Sequence, residues 1–169
     1  MLQNTSNISF DRLKFDRHPQ NTLRNSVRGT SMPIDIKFLH DGMGILYHCH
    51  GTVTGKDFIE ANKRLITFKE DLKQVRYGLI DETEVDDIHM TDSELVTITA
   101  QNKKIASLVP PGAIVAVITE NDFDLGLARV WESFIEHTGW ETMTFRARWQ
   151  AESWLKEKVK ANCGIDLIF

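Results

Sequence analysis

A chain of 169 residues with 41% hydrophobic and 26% charged residues has the size and composition of one globular domain with a sizeable core. Its net charge of −4 is uneven: residues 1–32 hold five Lys/Arg and two Asp/Glu, a net +3, which leaves −7 for the rest. An acidic body argues against nucleic acid as a partner, because phosphate binding needs clustered Lys and Arg, and no apolar run approaches the roughly 20 residues of a membrane span.

Residues 1–32, rich in Asn, Ser, Thr and Arg, show neither a 2- nor a 3.6-residue period and read as a disordered N-terminal extension. Phe10, Leu13 and Phe15 offer it one short docking segment. The first residues lack the apolar stretch of a secretory signal, and Asp11 and Asp16 speak against an organelle-targeting peptide. Cys49 and Cys163 are far apart and give no disulfide framework, so a cytoplasmic location is the expectation.

The body alternates. Segments 33–39 and 45–53 read as strands joined through Asp41-Gly42-Met43-Gly44, a hairpin signal. Thr54 with Asp57 forms a capping box opening a helix to about 69, whose apolar face is Phe58, Ala61, Leu65 and Phe68. A third strand follows at 75–80. Thr91 with Glu94 is a second capping box, starting a helix through Leu95, Ile98 and Ile105, which Pro110-Pro111-Gly112 closes. The continuous apolar run 113–119 is a strand covered on both faces. A helix from Asn121 or Asp122 then buries Phe123, Leu127, Val130, Trp131 and Phe134 and ends at Gly139. A last strand at 142–145 and a last helix at 147–158, with Ala151, Trp154 and Leu155 inward, complete a domain over 33–160. The order β-β-α-β-α-β-α-β-α predicts an α/β fold: a mixed, mostly parallel sheet with an N-terminal antiparallel hairpin and about four helices. Residues 161–169 form an apolar tail that either adds an edge strand or contacts a second subunit, as in a homodimer.

Several short motifs sit on this framework: Leu79-Ile80-Asp81 at the end of the central strand, Asp122-Phe123-Asp124-Leu125-Gly126-Leu127-Ala128-Arg129 at a helix start, Thr144-Phe145-Arg146, and Ala151-Glu152-Ser153-Trp154-Leu155. With the element order, they resemble the SpoIIAA-like branch of the STAS fold, the anti-sigma-factor-antagonist type, over about residues 33–160. The resemblance implies a STAS-like domain acting as a non-enzymatic regulatory or binding module, through a protein partner or a small ligand. In better-known STAS domains a Ser at the start of the helix after the central strand accepts a phosphate. Thr91 and Ser93 stand nearest that place, but the Asp-Ser-Ser-Gly-type run is missing. Asp92 and Glu94 flank both hydroxyls and would repel a phosphate dianion, so Thr91 reads first as a plain helix cap.

Four other candidates remain. Gly51-Thr52-Val53-Thr54-Gly55-Lys56-Asp57 has one residue too few between its glycines for a phosphate loop, and Asp57 replaces the hydroxyl residue, so it reads as a capped turn. His48 and His50, two apart on a strand, point to one face while Cys49 points to the other. Without a third ligand in reach, packing outranks a small-ligand pocket, and the pocket outranks a metal; no metal or cofactor is expected. Asp81, Glu82, Glu84, Asp86, Asp87, Asp92 and Glu94 form an acidic stretch without Lys or Arg, read as a solvated loop or a docking surface for a basic partner. A Mg-dependent phosphoryl-transfer enzyme using Asp81 is the weakest alternative, since no second Asp follows two residues on. Along the Gly126 helix, Asp124 favours the first turn, Gly126 allows close packing, and Arg129 either pairs with Asp124 or meets an anionic ligand. The alternative function is therefore a carrier of a small apolar or anionic ligand, in a pocket between sheet and helices near His48, His50, Phe123 and Arg129. Trp149 lies off the inward face of its helix and marks an interaction surface.

Overall fold

A computed structural model describes residues 32–169, so the extension read over residues 1–32 lies outside the described residues except for Met32. Strand β1 (Ile34–Leu39) and strand β2 (Gly44–Thr54) form the expected antiparallel hairpin, with Leu39 opposite Gly44. Gly44 is required for packing: a Cβ there would overlap the Tyr77 ring. Helix α1 (Gly55–Ile66) follows β2 directly, and a short helix α2 (Lys69–Leu72) takes up what the sequence reads as the end of α1. Strand β3 (Tyr77–His89), helix α3 (Asp92–Ala106), strand β4 (Ile114–Ile118), helix α4 (Asp122–Ile135), strand β5 (Glu141–Phe145) and helix α5 (Arg148–Cys163) complete the chain.

The five strands lie in sequence order, β1-β2-β3-β4-β5, with only the β1–β2 pair antiparallel. Alternation splits the core in two. Ile45, Tyr47, Cys49 and Val53 face one side, packed with Ala61 and Leu65 of α1 and Ile105 of α3. Leu46, Leu79, Ile114, Ala116 and Ile118 contribute to the other, under Ala151, Leu155 and Val159 of α5. All five residues of β4 are buried, as a central parallel strand requires. Both capping boxes form. Asp57 accepts from the Thr54 backbone N–H at 2.8 Å, and Glu94 accepts from that of Thr91 at 2.9 Å.

Three expectations are corrected here. The acidic stretch is not a loop as far as His89: β3 runs to that residue, paired in parallel with β2 from His50↔Glu84 to Thr54↔His89. Ile88 turns into the core and Val85 is half-buried, while Glu84, Asp86 and Asp87 stand in solvent, so period-2 alternation overrides the poor strand propensity of the acids. Val130 and Phe134 are exposed rather than buried, since α4 turns Asp124, Ala128 and Ile135 inward instead. The tail adds no strand. Leu167 is buried beneath the α5 face, and the Ile168 carbonyl accepts from His40 Nε2 at 2.8 Å. Among the described residues no helix is long and apolar enough to cross a membrane.

Candidate functional site

Between the sheet and helices α1, α3 and α4 lies a cavity of about 120 Å³. Its floor is the face of the sheet that carries Ile45, Tyr47, Gly78, Ile80, Val115 and Val117, and its roof includes Phe58, Ile98, Leu127 and Trp131. The walls are mainly apolar. Gly78 leaves room in the floor, since only the Val115 methyls come near where its Cβ would be.

The polar groups in the cavity fall into two sets. Toward α1 and α3 the network is closed: the Tyr47 hydroxyl donates to Asn62 Oδ1 at 2.8 Å, and the Asn62 amide donates to Asn102 Oδ1 and Gln101 Oε1, each at 3.3 Å. Toward α4 it is open. Glu82, from β3, has its Oε2 shut off from solvent without a hydrogen-bond partner, and so has Asp124, from α4, at its Oδ1. Burial pushes the Glu82 carboxyl up to about 8; the Asp124 and Asp81 charges add to the rise and the Thr119 hydroxyl opposes it. Asp124, only 3% exposed, is also raised, by its own burial first and by Asp87 second. Two carboxyls whose burial opposes ionisation, in one largely apolar cavity, are the kind of perturbed pair found at functional sites.

The sequence-derived candidates are dispersed around this cavity. His48 sits opposite Asp81 in the β2–β3 ladder, on the sheet face turned away from the cavity. The two imidazoles do share that face, with ring centroids 5.9 Å apart; His48 lies 3.5 Å from Glu84 and His50 lies 3.8 Å from Asp35. Cys49 points the opposite way, into the core, where burial pushes its thiol up. Arg129 is exposed on α4, and among the described residues no ion pair joins it to Asp124. The Phe123 side chain lies outside the described residues. The candidates His48, His50 and Arg129 therefore do not line the cavity. Among the described residues no cluster of three or more His, Cys, Asp or Glu is set to hold a metal.

Asp81 is 2% exposed on the α5 side, and both of its oxygens are engaged. Oδ2 accepts from Arg148 Nη1 at 2.8 Å, and Oδ1 accepts from the Thr83 backbone N–H at 3.1 Å and its hydroxyl at 2.7 Å. Thr91 stands in an open groove with Thr54, Lys56, His89 and Met90 at the ends of β2 and β3, and Ser93, whose Oγ lies 3.1 Å from the Thr91 hydroxyl, does not line it. The Thr91 hydroxyl donates to Glu94 Oε2 at 2.9 Å and accepts from the Glu94 backbone N–H at 3.3 Å, so it acts as the helix cap. The Thr91 backbone N–H first, and its hydroxyl second, hold the Glu94 carboxyl below its ordinary range. Gly126 has open space where a Cβ would sit, so close packing does not explain it.

The strand order and the single antiparallel pair decide the architecture. The fold is α/β, a mixed and mostly parallel five-stranded sheet with helices on both faces. Among solved structures the chain is similar to an uncharacterized protein of the DUF3478 family with a SpoIIAA-like fold from Shewanella loihica PV-4, at 23% identity and a TM-score of 0.49 over 75% of this chain and 99% of that one. It is also similar to the anti-sigma factor antagonist SpoIIAA in its unphosphorylated form, at 8% identity and a TM-score of 0.47 over 72% of this chain and 96% of that one. No family model matches the chain, and no curated protein does.

Sequence reasoning missed Glu82 and Asp124 as site residues. The available signal for Glu82 was its place one residue beyond Asp81, hence on the opposite sheet face. For Asp124 it was a carboxylate two residues into a helix whose apolar partners follow at Leu127 and Ala128.

Proposed function

We propose that this protein is a non-enzymatic binding module that holds a small, mainly apolar molecule between its sheet and helices α1, α3 and α4. The observation that supports this reading is the cavity itself: apolar walls with a few inward polar groups are the usual form of a small-molecule site. A cavity of this size is close to the roughly 150 Å³ that accommodates benzene. The commitment of Asp81 to Arg148 and Thr83 weighs against a phosphoryl-transfer role for that carboxylate.

Benzene titrated into the ¹⁵N-labelled protein should give saturable amide shifts at Ile80, Val117 and Leu127, and Ala128→Trp, which fills the space, should abolish them. Shifts scattered over the surface, or none that saturate, would remove the cavity as the binding site.

A protein partner is the second reading, supported by the outer face of α4. That helix roofs the cavity and leaves Val130 45% and Phe134 41% exposed. Partner binding there would be sensitive to what lies beneath the helix, provided the ligand favours one placement of α4 over another.

A further inference from the structure

We propose that the ligand of this cavity is a small organic cation, an amine with an apolar body, whose ammonium group sits between Glu82 and Asp124. The proposal rests on the cavity being a ligand site and names the chemistry of what enters it.

Two carboxyls from different elements line the cavity, Glu82 from the sheet and Asp124 from α4, and each has a solvent-free oxygen without a partner. Among the described residues no Lys, Arg or His lines the cavity, so none of them supplies a counter-charge from the lining. Of the nearby neutral donors, the Tyr47 hydroxyl is spent on Asn62 and the Asn62 amide on Gln101 and Asn102, which leaves the Thr119 hydroxyl to offset part of the cost at Glu82. One unpartnered donor remains in the lining, the Trp140 indole N–H, at the far end. Trp140 precedes the Ile114↔Glu141 row of the sheet and Glu82 follows the Asp81↔Ile118 row. About six residues of strand separate the two levels, on the order of 20 Å, beyond any direct bond.

A buried carboxylate without a positive partner is costly, and that cost raises both carboxyls above their ordinary values. An ammonium group changes that balance, since it brings a full positive charge and three N–H donors to the unpartnered Glu82 Oε2 and Asp124 Oδ1. An anionic ligand would meet like charge. A divalent cation such as calcium needs six to eight oxygens, which these apolar walls do not provide. An aryl- or alkyl-methylamine satisfies both ends of the cavity: hydrocarbon against Ile80, Val117 and Leu127, nitrogen against the carboxyls.

Toluene, benzylamine and benzoate differ in charge and share a ring, and each is titrated into the full ¹⁵N-labelled chain at about pH 7.5. Benzylamine should saturate the cavity amides at least tenfold more tightly than toluene, the scale of one buried charge-assisted hydrogen bond, and benzoate should not bind. Asp124→Asn should erase most of that tenfold preference, read as the ratio of benzylamine to toluene affinity within the variant; Glu82→Gln provides the same readout if the first variant folds poorly. Benzylamine no tighter than toluene, or a preference that survives both substitutions, overturns the cation assignment and leaves the cavity reading intact. Binding of neither toluene nor benzylamine overturns both.

Discussion

Replacing Glu82 by Gln reads out the buried carboxyl through stability alone. In the folded protein this acid titrates at about 8, against an ordinary value of 4.5. Between those values the unfolded chain has given up the proton and the folded chain keeps it. The unfolded state thus binds fewer protons there, and stability falls as pH rises through the window, levelling off above about 8. The maximal slope for one group is about 1.4 kcal/mol per pH unit, so roughly three units above the ordinary value the loss amounts to about 4 kcal/mol. Gln has no proton to lose, but its amide places an unpaired donor in an apolar cavity at a cost of about 1–3 kcal/mol. Near pH 5 the variant should therefore be no more stable than the parent, and near pH 8 more stable by about 1–3 kcal/mol. Urea unfolding at successive pH values from about 5 to 9 measures the difference directly. Asp81, Asp124 and Thr119, which surround the carboxyl, are the same in both proteins, so the difference between them reports on Glu82. A stability difference that does not change with pH would refute the reasoning, because it would mean that Glu82 is already ionised in the folded state at neutral pH.

Other substitutions test the packing arguments. Asp81→Asn leaves Arg148 facing a neutral amide, and since that Arg is partly exposed and keeps Glu152 at 2.8 Å, the loss should be about 1–3 kcal/mol in urea unfolding, below the roughly 3–5 of a fully buried pair; an unchanged midpoint would show the pair to be dispensable. Gly126→Ala and Gly44→Ala should move thermal stability in opposite directions. The first gains about 0.5–1 kcal/mol of helix propensity in open space, and the second loses about 1–3 kcal/mol or more by forcing a methyl into the Tyr77 ring. The same sign for both would mean that the packing around one of these glycines is misread.

The strand and helix order was legible because each signal was local and redundant. The capping boxes at Thr54 and Thr91, the Pro110-Pro111-Gly112 break and the apolar run of β4 each point to one structure, and neighbouring signals agree. The second half of β3 was hidden for the opposite reason. Its residues carry the composition of a loop, and what makes them a strand is the pairing of Gly51–Thr54 alongside, a contact that sequence spacing does not reveal. The α4 register was misread because Val130 and Phe134 outweigh Asp124 in hydrophobicity, and periodicity alone prefers to bury them.

The site was hidden more deeply, and the reason bears on what it does. Hydrophobic patterning finds residues whose burial is favourable by itself, so a carboxyl driven inward by its neighbours in the fold goes unseen. Glu82 was grouped with six other acids as one solvated run, although alternation sends it to the opposite face from Asp81. Asp124 matched the favourable helix-start pattern, and that match concealed its burial. Two groups that break the rule of keeping unpaired charge out of apolar space, from elements far apart in sequence, reach the same cavity. Each alone would be a packing fault of a few kcal/mol. Together, with no basic side chain lining the cavity among the described residues, they form a pair of acids whose charge is not balanced there. Sequences tend to depart from local consistency where function requires it, and this is the place where the present chain does so.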